Sequence, residues 1–465
     1  MKKNNLLKNT VLLSIGAILN KGLVFLMIPF FSSWLSTEDY GTFDLITTYI
    51  TLLIPIIGLS LTESLFRFSL DTNNKNEKKD YTSTSFAIFT FNLIVATIIC
   101  SILYIFRIWN LALYCCYLLI GEVYLTYFNG YLRSIKKLNF YSFTNIISTI
   151  FIAIFTTIFI KVANMSLEGI ILGYALGYLF GNIITIIYTK FWKQISFKNV
   201  KLSVAIKMFK YSYILIPNSI SWWVINVSDR TIINMFLGAS FNGIYAIASK
   251  VPNFCTSLFS VFNISWQESA IENINSEDKN NYFNNVYNKM FLTLVSLCCC
   301  VLGIQFILFN YIFDFRYFDA HLYVPILITS TIFSTMSIFF GGIQISMKKP
   351  KINGVTTIIG AVVNVLLHLL LIKPIGLYAA AISTLISQVI VFILRKYYIN
   401  KDFKIRIEKR NYLIIVLFIY LNFCAYFCNN LSLKINIINL LIAIICFLYI
   451  IRQYVTRILN KILKN

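Results

Sequence analysis

The chain has 465 residues, of which 58% are hydrophobic and only 12% are charged, and its formal net charge at pH 7 is +22. A water-soluble fold of this length needs more polar surface than this composition supplies, so a soluble globular protein is excluded. The positive charge alone would suit a nucleic-acid-binding protein. Because the cations lie between apolar stretches, their placement in a membrane explains them better, and no nucleic-acid partner is expected.

Fourteen apolar stretches of about twenty residues follow one another, and each is long enough to cross a bilayer as a helix. In lipid, every backbone amide must be satisfied within its own span, and the apolar runs lack the two-residue alternation of a membrane β-barrel. The predicted fold is therefore an all-α integral membrane protein. Its predicted spans are residues 10–33, 42–68, 83–106, 110–133, 141–161, 167–189, 211–236, 241–267, 287–309, 322–346, 352–372, 376–394, 411–429 and 435–453.

The lysines and arginines are distributed unequally between the two sides of the predicted membrane. With a cytoplasmic N-terminus, 31 of the 40 cations fall in cytoplasmic segments, including all seven from Arg395 to Arg410, five fall in outer loops and four fall within spans. This bias predicts that both termini are cytoplasmic and that the number of spans is even.

The first span is expected to be an uncleaved helix, because no Ala-x-Ala cleavage site follows it. The ten cysteines lie inside or at the ends of spans and show no metal-ligand spacing. They are interpreted as packing residues, and neither a metal ion nor another cofactor is predicted.

The chain contains an internal duplication. NGYLRSIKKLNFYSFTNIIS at residues 129–148 aligns with GGIQISMKKPKINGVTTIIG at residues 341–360, and LSTEDYGTF at 35–43 aligns more weakly with LGASFNGIY at 237–245. These matches predict two six-helix lobes in parallel repeat, residues 1–195 and 196–400, followed by two C-terminal helices and a basic tail, residues 401–465. The basic connection from Lys190 to Lys210 would be the hinge. Two like lobes around a cleft are typical of an alternating-access carrier.

A cation at the bilayer centre costs about 2.5 to 3.5 kcal/mol, so each charge in a span should face protein or water. Glu63 and Arg67 are four residues apart and could neutralise each other. Asp229 and Arg230 point about 100° apart, so each needs a partner on another helix or in a cavity. Glu122 could hold Lys21 or carry a proton. The candidate cleft cations are Lys21, Arg67, Arg230 and Lys250, and the candidate acids for ion coupling or charge pairing are Glu63, Glu122 and Asp229.

Three further features bear on the cleft. Prolines 29, 55, 217 and 252 interrupt the spans that also carry these cations, which indicates that these helices line it. Aromatic residues could stack on sugars, although interfacial and lipid-facing positions explain most such residues; they are Trp222, Trp223, Trp266, Tyr245 and Tyr49. His368, near the outer end of its span, is more typical of a packed or interfacial residue.

The stretch PNSISWWVINVSDRTIINMFLGASFNGIYAIASKVP at residues 217–252, followed by Trp266, Gln267 and Glu268, resembles the Wzx-type polysaccharide flippases. LSTEDYGTFDLITTY and RSIKKL resemble the same family, so the resemblance covers essentially the whole chain. The family belongs to the MOP superfamily, which also holds drug/cation antiporters and the lipid II flippase. It has two six-helix lobes and often two added C-terminal helices.

The resemblance implies that the protein moves an undecaprenyl-diphosphate-linked oligosaccharide, such as an O-antigen or capsule repeat unit, from the inner to the outer leaflet of a bacterial cytoplasmic membrane. Membrane lipid is one expected partner, and a polymerase and other assembly proteins of the glycan pathway are others. Carriage of a diphosphate through hydrocarbon requires a polar path, because burying charge without a partner is very costly. Lys21, Arg67, Arg230 and Lys250 are the expected contacts, and the family motif covers only Asp229, Arg230 and Lys250 of the charged candidates.

Two other functions compete with this interpretation. One is an ion-coupled drug or cation antiporter of the same superfamily. The other is an enzyme, either a membrane polyprenyl-sugar glycosyltransferase or a polymerase, for which Glu38 and Asp39 would supply an acidic outer loop. The longest outer loop, around residues 314–321, is only about a dozen residues long, which argues against a large outer catalytic domain.

Overall fold

The structure is a computed structural model that describes residues 20–213, 215–347, 349–427 and 431–462. These residues form α-helices joined by short 3-10 and π-helical turns, with no β-strand among them, so the all-α prediction is confirmed. The helices are α1 (20–34), α2 (Thr37–Ile57), α3 (Leu61–Asp71), α4 (Lys75–Ile105), α5 (Ala112–Ser134), α6 (Leu138–Thr157), α7 (Leu167–Thr189), α8 (Leu202–Ser212), α9 (Leu215–Phe236), α10 (Ala239–Asn273), α11 (Lys279–Ile307), α12 (Val324–Ser346), α13 (Pro350–Ile375), α14 (Tyr378–Asn400), α15 (Tyr412–Tyr426) and α16 (Leu433–Ile462).

Each of the fourteen predicted spans coincides with one or two of these helices, although the first half of span 1 lies outside the described residues. Within the described chain, nine helices are both long enough and apolar enough to cross a membrane. Five further predicted spans do not meet both criteria. Of their helices, α5, α9 and α10 contain more polar residues, while the described part of α1 and the whole of α15 are shorter.

Span 2 is not one continuous helix. It breaks between α2 and α3, where Leu59 and Ser60 have left-handed backbone angles, with φ of 46° and 50°. The break exposes the last carbonyl groups of α2, and the Asn92 amide of α4 donates a hydrogen bond of 2.8 Å to one of them, Ile57 O. A neighbouring side chain therefore satisfies the backbone, which is the condition for interrupting a helix at membrane depth.

The predicted proline interruptions are confirmed in part. Pro55 and Pro252 lie inside α2 and α10. Pro217 is the third described residue of α9, which directly follows an undescribed position, so its interruption of the helix stays a prediction.

The chain divides into two compact units, residues 1–234 and 235–465. This division groups α8 and α9 with the first seven helices. The lobe boundaries at residues 195 and 400 are drawn on the sequence repeat and stay a prediction.

The packing within each unit repeats in the way that the sequence duplication predicts. In the first unit α5 and α6 both pack on α7, and in the second unit α12 and α13 both pack on α14. Thr144 on α6 bonds Thr185 on α7 at 3.3 Å, and Thr356, its aligned partner on α13, accepts a bond of 3.0 Å from Arg395 on α14.

The same two helix pairs approach closely through glycines, but the glycine lies on a different helix of the pair in each unit. Gly181 on α7 lies against Ser148 of α6, whereas in the second unit the glycine is Gly360 on α13, and a Cβ there would come within 2.5 Å of Val391 on α14. Ser148 and Gly360 are the last aligned pair of the sequence repeat. In each unit a glycine therefore permits the close approach, on α7 in the first unit and on α13 in the second.

Candidate functional site

The first unit contains a buried ion pair between α2 and α9. Arg230 Nε lies 3.4 Å from Asp44 Oδ2, and the two side chains are only 10% and 8% exposed. The Trp223 indole also joins these helices, because Nε1 donates a bond of 2.9 Å to Thr48 O, one turn from Asp44. As predicted, Arg230 finds its partner on another helix.

Asp44 is a site residue that the sequence analysis missed. It is an acid inside an apolar stretch, and that signal was available because such a residue must face protein or water. The separation of 186 residues between Asp44 and Arg230 hides the pairing itself. With a rise of about 1.5 Å per residue, both groups lie roughly 10 Å from the ends of their helices at Thr37 and Phe236.

Further polar groups lie near this pair. Glu122 on α5 is half-buried and interacts electrostatically with Lys21 of α1; whether it holds Lys21 or carries a proton stays open. The phenol groups of Tyr174 and Tyr178 on α7 interact with Glu122, and Tyr174 also interacts with Asp44. We call this set the polar cluster: Lys21, Asp44, Glu122, Tyr174, Tyr178 and Arg230.

The polar cluster combines two cations with two carboxylates, so its formal charge is zero when all four are ionised. Its members differ in accessibility: Asp44 and Arg230 are buried, whereas Lys21 is exposed. An exposed ammonium group in an apolar helix needs water or an anion, because hydrocarbon cannot solvate it. The arrangement therefore places one accessible cation, Lys21, beside the buried pair of Asp44 and Arg230.

The predicted pairing of Glu63 with Arg67 is wrong. Glu63 instead accepts a bond of 3.1 Å from Arg133 on α5, and Arg67 pairs with Asp71 at 3.2 Å in the last turn of α3. The Arg67 side chain is 59% exposed, so it is not a buried cation of the bilayer centre. Arg133 reaches Glu63 because α5 packs along α3, which local spacing in the sequence does not reveal.

The remaining predicted charges are placed as follows. Asp229 is buried in α9 of the first unit, and Lys250 is half-buried in α10 of the second unit, two residues before Pro252. His368 is completely buried in α13, in agreement with its interpretation as a packed residue.

Arg395 was predicted to lie in a loop, and this part of its prediction is wrong; its side of the membrane stays a prediction. It is a buried residue of α14, which continues to Asn400. Its guanidinium group donates bonds to Thr356 Oγ1, Thr357 Oγ1 and Ser337 O at 3.0, 2.8 and 2.9 Å. Arg395 thereby joins α12, α13 and α14, and neutral acceptors satisfy its donors.

The aromatic candidates for sugar stacking are mostly occupied by packing. Trp266 and Tyr245 are 2% and 1% exposed, and the Trp266 ring stacks on Phe339 at 4.2 Å. Trp223 bonds the backbone of α2, and Tyr49 meets Trp109 edge to face. The side chains of Trp222 and Glu268 lie outside the described part of the structure. The packing interpretation therefore accounts for the aromatic residues that are described.

The cysteines of the described residues are free thiols, and seven of these nine are buried. Their burial agrees with the prediction that they are packing residues.

The fold is that of a class of multi-span helical transporters. The structure superposes on a lipid II flippase, MurJ, in an inward-closed conformation with a TM-score of 0.71 at 16% identity, over 97% of this chain and all of that one. An inward-facing multidrug resistance MATE transporter of the MOP superfamily gives a TM-score of 0.64 at 12% identity, over 83% of this chain and 93% of the other. At these identities the likeness concerns the fold alone.

The chain belongs to the polysaccharide biosynthesis protein family, whose sequence profile matches residues 6–267. It is also 24% identical over 220 residues to a probable low-salt glycan biosynthesis flippase, Agl15, of Haloferax volcanii. That alignment covers 46% of this chain and 45% of the relative, so the chain matches less than half the length of that curated protein.

Proposed function

We propose that this protein flips a lipid-linked oligosaccharide across the membrane and is not an enzyme. The observation that carries the proposal is the polar cluster, which holds ionisable side chains inside a helical unit whose surroundings are apolar. Its family membership, its fold likeness to a lipid II flippase and its partial similarity to a glycan flippase support the same function. The substrate we propose is an undecaprenyl-diphosphate-linked repeat unit of a surface glycan.

The chemistry of the substrate explains why the cluster has this composition. A diphosphate that leaves water must find cations, because an unpaired buried charge is very costly. The exposed Lys21 would meet the diphosphate first. Arg230 would then exchange Asp44 for a phosphate or an acidic sugar, while the polyprenyl chain stays in lipid.

This exchange would leave Asp44 and Glu122 without their cations. Each carboxylate must then take up a proton or another cation, because an uncompensated charge in a buried site is strongly disfavoured. Substrate release would return the cations to the carboxylates. Binding would in this way be linked to ion uptake within an alternating-access cycle.

The other candidate residues have more peripheral roles in this proposal. Lys250, in α10, stays a candidate for a substrate contact of its own. Arg67, exposed at the end of α3, would contact a headgroup entering from that side of the membrane. We place the protein in the bacterial cytoplasmic membrane with both termini in the cytoplasm, where a polymerase and other assembly proteins of the glycan pathway would be its partners.

A second candidate function is an ion-coupled drug or cation antiporter. The fold likeness to multidrug resistance transporters favours it, as do the acids of the polar cluster, since an acid can bind an organic cation directly. A polyprenyl-sugar glycosyltransferase or polymerase is supported only by the acidic pair Glu38 and Asp39.

One reconstitution separates these functions. Purified protein is inserted into vesicles that carry a fluorescent undecaprenyl-diphosphate oligosaccharide in one leaflet, and exposure of the sugar on the other side is followed with a membrane-impermeant lectin or quencher. We expect exposure to require the protein and to slow by about tenfold or more in Arg230→Gln. Proton-driven efflux of a cationic dye without glycan exposure would instead establish the antiporter, and elongation of the glycan would establish the enzyme.

A further inference from the structure

The connection between α7 and α9, residues 190–213, lies on the surface of the first unit and is held there by hydrogen bonds to α4. We call it the basic segment. Its backbone is bonded to α4: Ser196 N donates to Ser83 Oγ at 3.0 Å, and Lys201 N donates to Thr84 Oγ1 at 3.2 Å. Asp80 on α4 accepts further bonds from Asn199 and from the Lys201 ammonium group. The connection is thus docked on α4, and its role as the hinge between the lobes stays a prediction.

Further along the basic segment, the Lys207 ammonium group donates a bond of 3.0 Å to Tyr81 OH, which raises the pKa of Lys207. Met208 and Ser212 of α8 are completely buried. One side of the segment is therefore held by the helices of the first unit, and α8 packs on α3 and α4.

The opposite side of the basic segment is apolar and uncovered. Four residues of α8 and its end, at positions 202, 206, 209 and 213, lie within about 60° of one another at 100° per residue and form a stripe. Phe197, Leu202 and Trp192 are 96%, 77% and 54% exposed. Water is a poor solvent for such a stripe, which marks a contact surface.

The charge of the basic segment indicates that this surface contacts an anionic partner. Its 24 residues include six lysines and neither aspartate nor glutamate. Asp80 pairs with one of these lysines and Tyr81 binds another, while Lys190, Lys193, Lys198 and Lys210 are exposed. A helix with an apolar stripe beside exposed lysines is suited to the interface of a membrane that contains anionic lipids.

The position of the segment supports a lipid surface over an acidic protein. It connects the end of one predicted span, α7, to the start of another, α9, so its apolar stripe begins and ends at the level of the membrane surface. The exposed aromatic Trp192 follows α7 by three residues, which is a usual place for an interfacial tryptophan.

We propose that the basic segment is a binding surface for anionic phospholipid headgroups, with Trp192, Phe197 and the α8 stripe inserted at the interface and Lys190, Lys193, Lys198 and Lys210 holding the headgroups. Because Asp80, Ser83 and Thr84 fasten the segment to α4, the lipid surface sets the position at which the chain enters α9, the helix that carries Arg230. This inference concerns lipid contact and stands independently of the transported substrate.

The test uses the full-length protein in phosphatidylcholine vesicles that contain a small fraction of brominated phosphatidylglycerol or the same fraction of brominated phosphatidylcholine. Bromine quenches nearby tryptophans, and the difference between the unmodified protein and Trp192→Phe isolates the Trp192 signal. We expect the brominated anionic lipid to quench Trp192 about twofold more than the brominated neutral lipid, because the lysines enrich it. Raising the salt to about 1 M should remove most of this preference.

The matched variants replace four lysines each. Replacement of Lys190, Lys193, Lys198 and Lys210 by Gln should abolish the preference for the anionic lipid. The control replaces Lys75, Lys79, Lys351 and Lys404, which are also exposed and are predicted to lie on the same side of the membrane. This control variant should keep the preference for the anionic lipid. Equal quenching by both lipids in the unmodified protein would overturn the proposal, and absence of quenching would show that the surface faces water or another protein. If the four-lysine variant is not monodisperse, the salt dependence of the unmodified protein decides.

Discussion

At the residue scale, Arg230 and Asp44 form a buried ion pair within the first unit. Removing one partner of a buried pair leaves an uncompensated charge, which costs about 3 to 5 kcal/mol, whereas removing both often costs much less. The buried thiols of the protein offer a convenient measurement, since a thiol-reactive fluorophore reports unfolding as they become exposed.

We therefore expect Arg230→Gln to lower the thermal unfolding temperature clearly and Asp44→Asn, Arg230→Gln to recover most of that loss. Transport should stay low in the double variant, because the cation for the substrate is still missing. Recovery of both stability and transport would show that Arg230 has only a structural role.

For Lys21 we expect a loss of transport without a loss of stability, because its side chain is exposed. Lys21→Ala should change the unfolding temperature little and lose most transport, while Lys21→Arg should retain much of it. Glu122→Gln, Lys21→Ala is the control for a structural ion pair. If that double variant transports normally, Lys21 serves only to neutralise Glu122.

At the scale of elements, α7 packs on α6 through three glycines four residues apart, Gly173, Gly177 and Gly181, and a fourth, Gly169, lies against Ile160 in the turn after α6. At Gly177 an added Cβ would come within 2.7 Å of the Ile152 backbone nitrogen, so no side-chain movement can make room. Small residues at four-residue spacing permit close helix approach in membranes, where packing drives association.

Gly177→Ala should consequently separate α6 from α7 and destabilise the first unit by about 1 to 3 kcal/mol, in the range of other overpacking changes. Gly354→Ala on α13 is the matched control, because nothing lies within 4 Å of its added Cβ. The control should be neutral or slightly stabilising, as expected for alanine in a helix. Equal unfolding temperatures for the two variants would contradict the close α6–α7 contact.

The break between α2 and α3 shows how a single span can carry a local irregularity. Leu59 and Ser60 are held in left-handed geometry that costs about 1 to 2 kcal/mol for a residue with a side chain. The Asn92 bond to Ile57 O and the Phe89 ring beside Gly58 hold the break in place. Packing against α4 therefore decides where span 2 is interrupted.

At the scale of the whole molecule, the charge asymmetry predicts one orientation for every loop. Reporter fusions after Asn74, Lys198, Lys349 and Lys404 should report a cytoplasmic location, and fusions near Arg107 and Lys373 an external one. An external reporter signal at Lys198 would contradict both the even number of spans in the first half and the cytoplasmic position of the basic segment.

Much of the architecture follows from the sequence because lipid restricts the folds that a membrane-spanning chain can adopt. A bilayer of fixed thickness accepts only apolar helices of about twenty residues, so hydrophobic runs and flanking lysines determined the helices and their predicted orientation. The 129–148 and 341–360 alignment likewise located the duplication, since equivalent helix contacts require similar residues at equivalent positions.

Only the tertiary structure decided which charges meet. Asp44 and Arg230 are 186 residues apart, and Glu63 pairs with Arg133 instead of the nearby Arg67. Side-chain pairing depends on which helices lie side by side. The burial of Arg395 and the docking of residues 196–207 on α4 have the same origin. Local spacing describes one helix at a time, whereas the desolvation of a charge depends on the neighbours that packing brings to it.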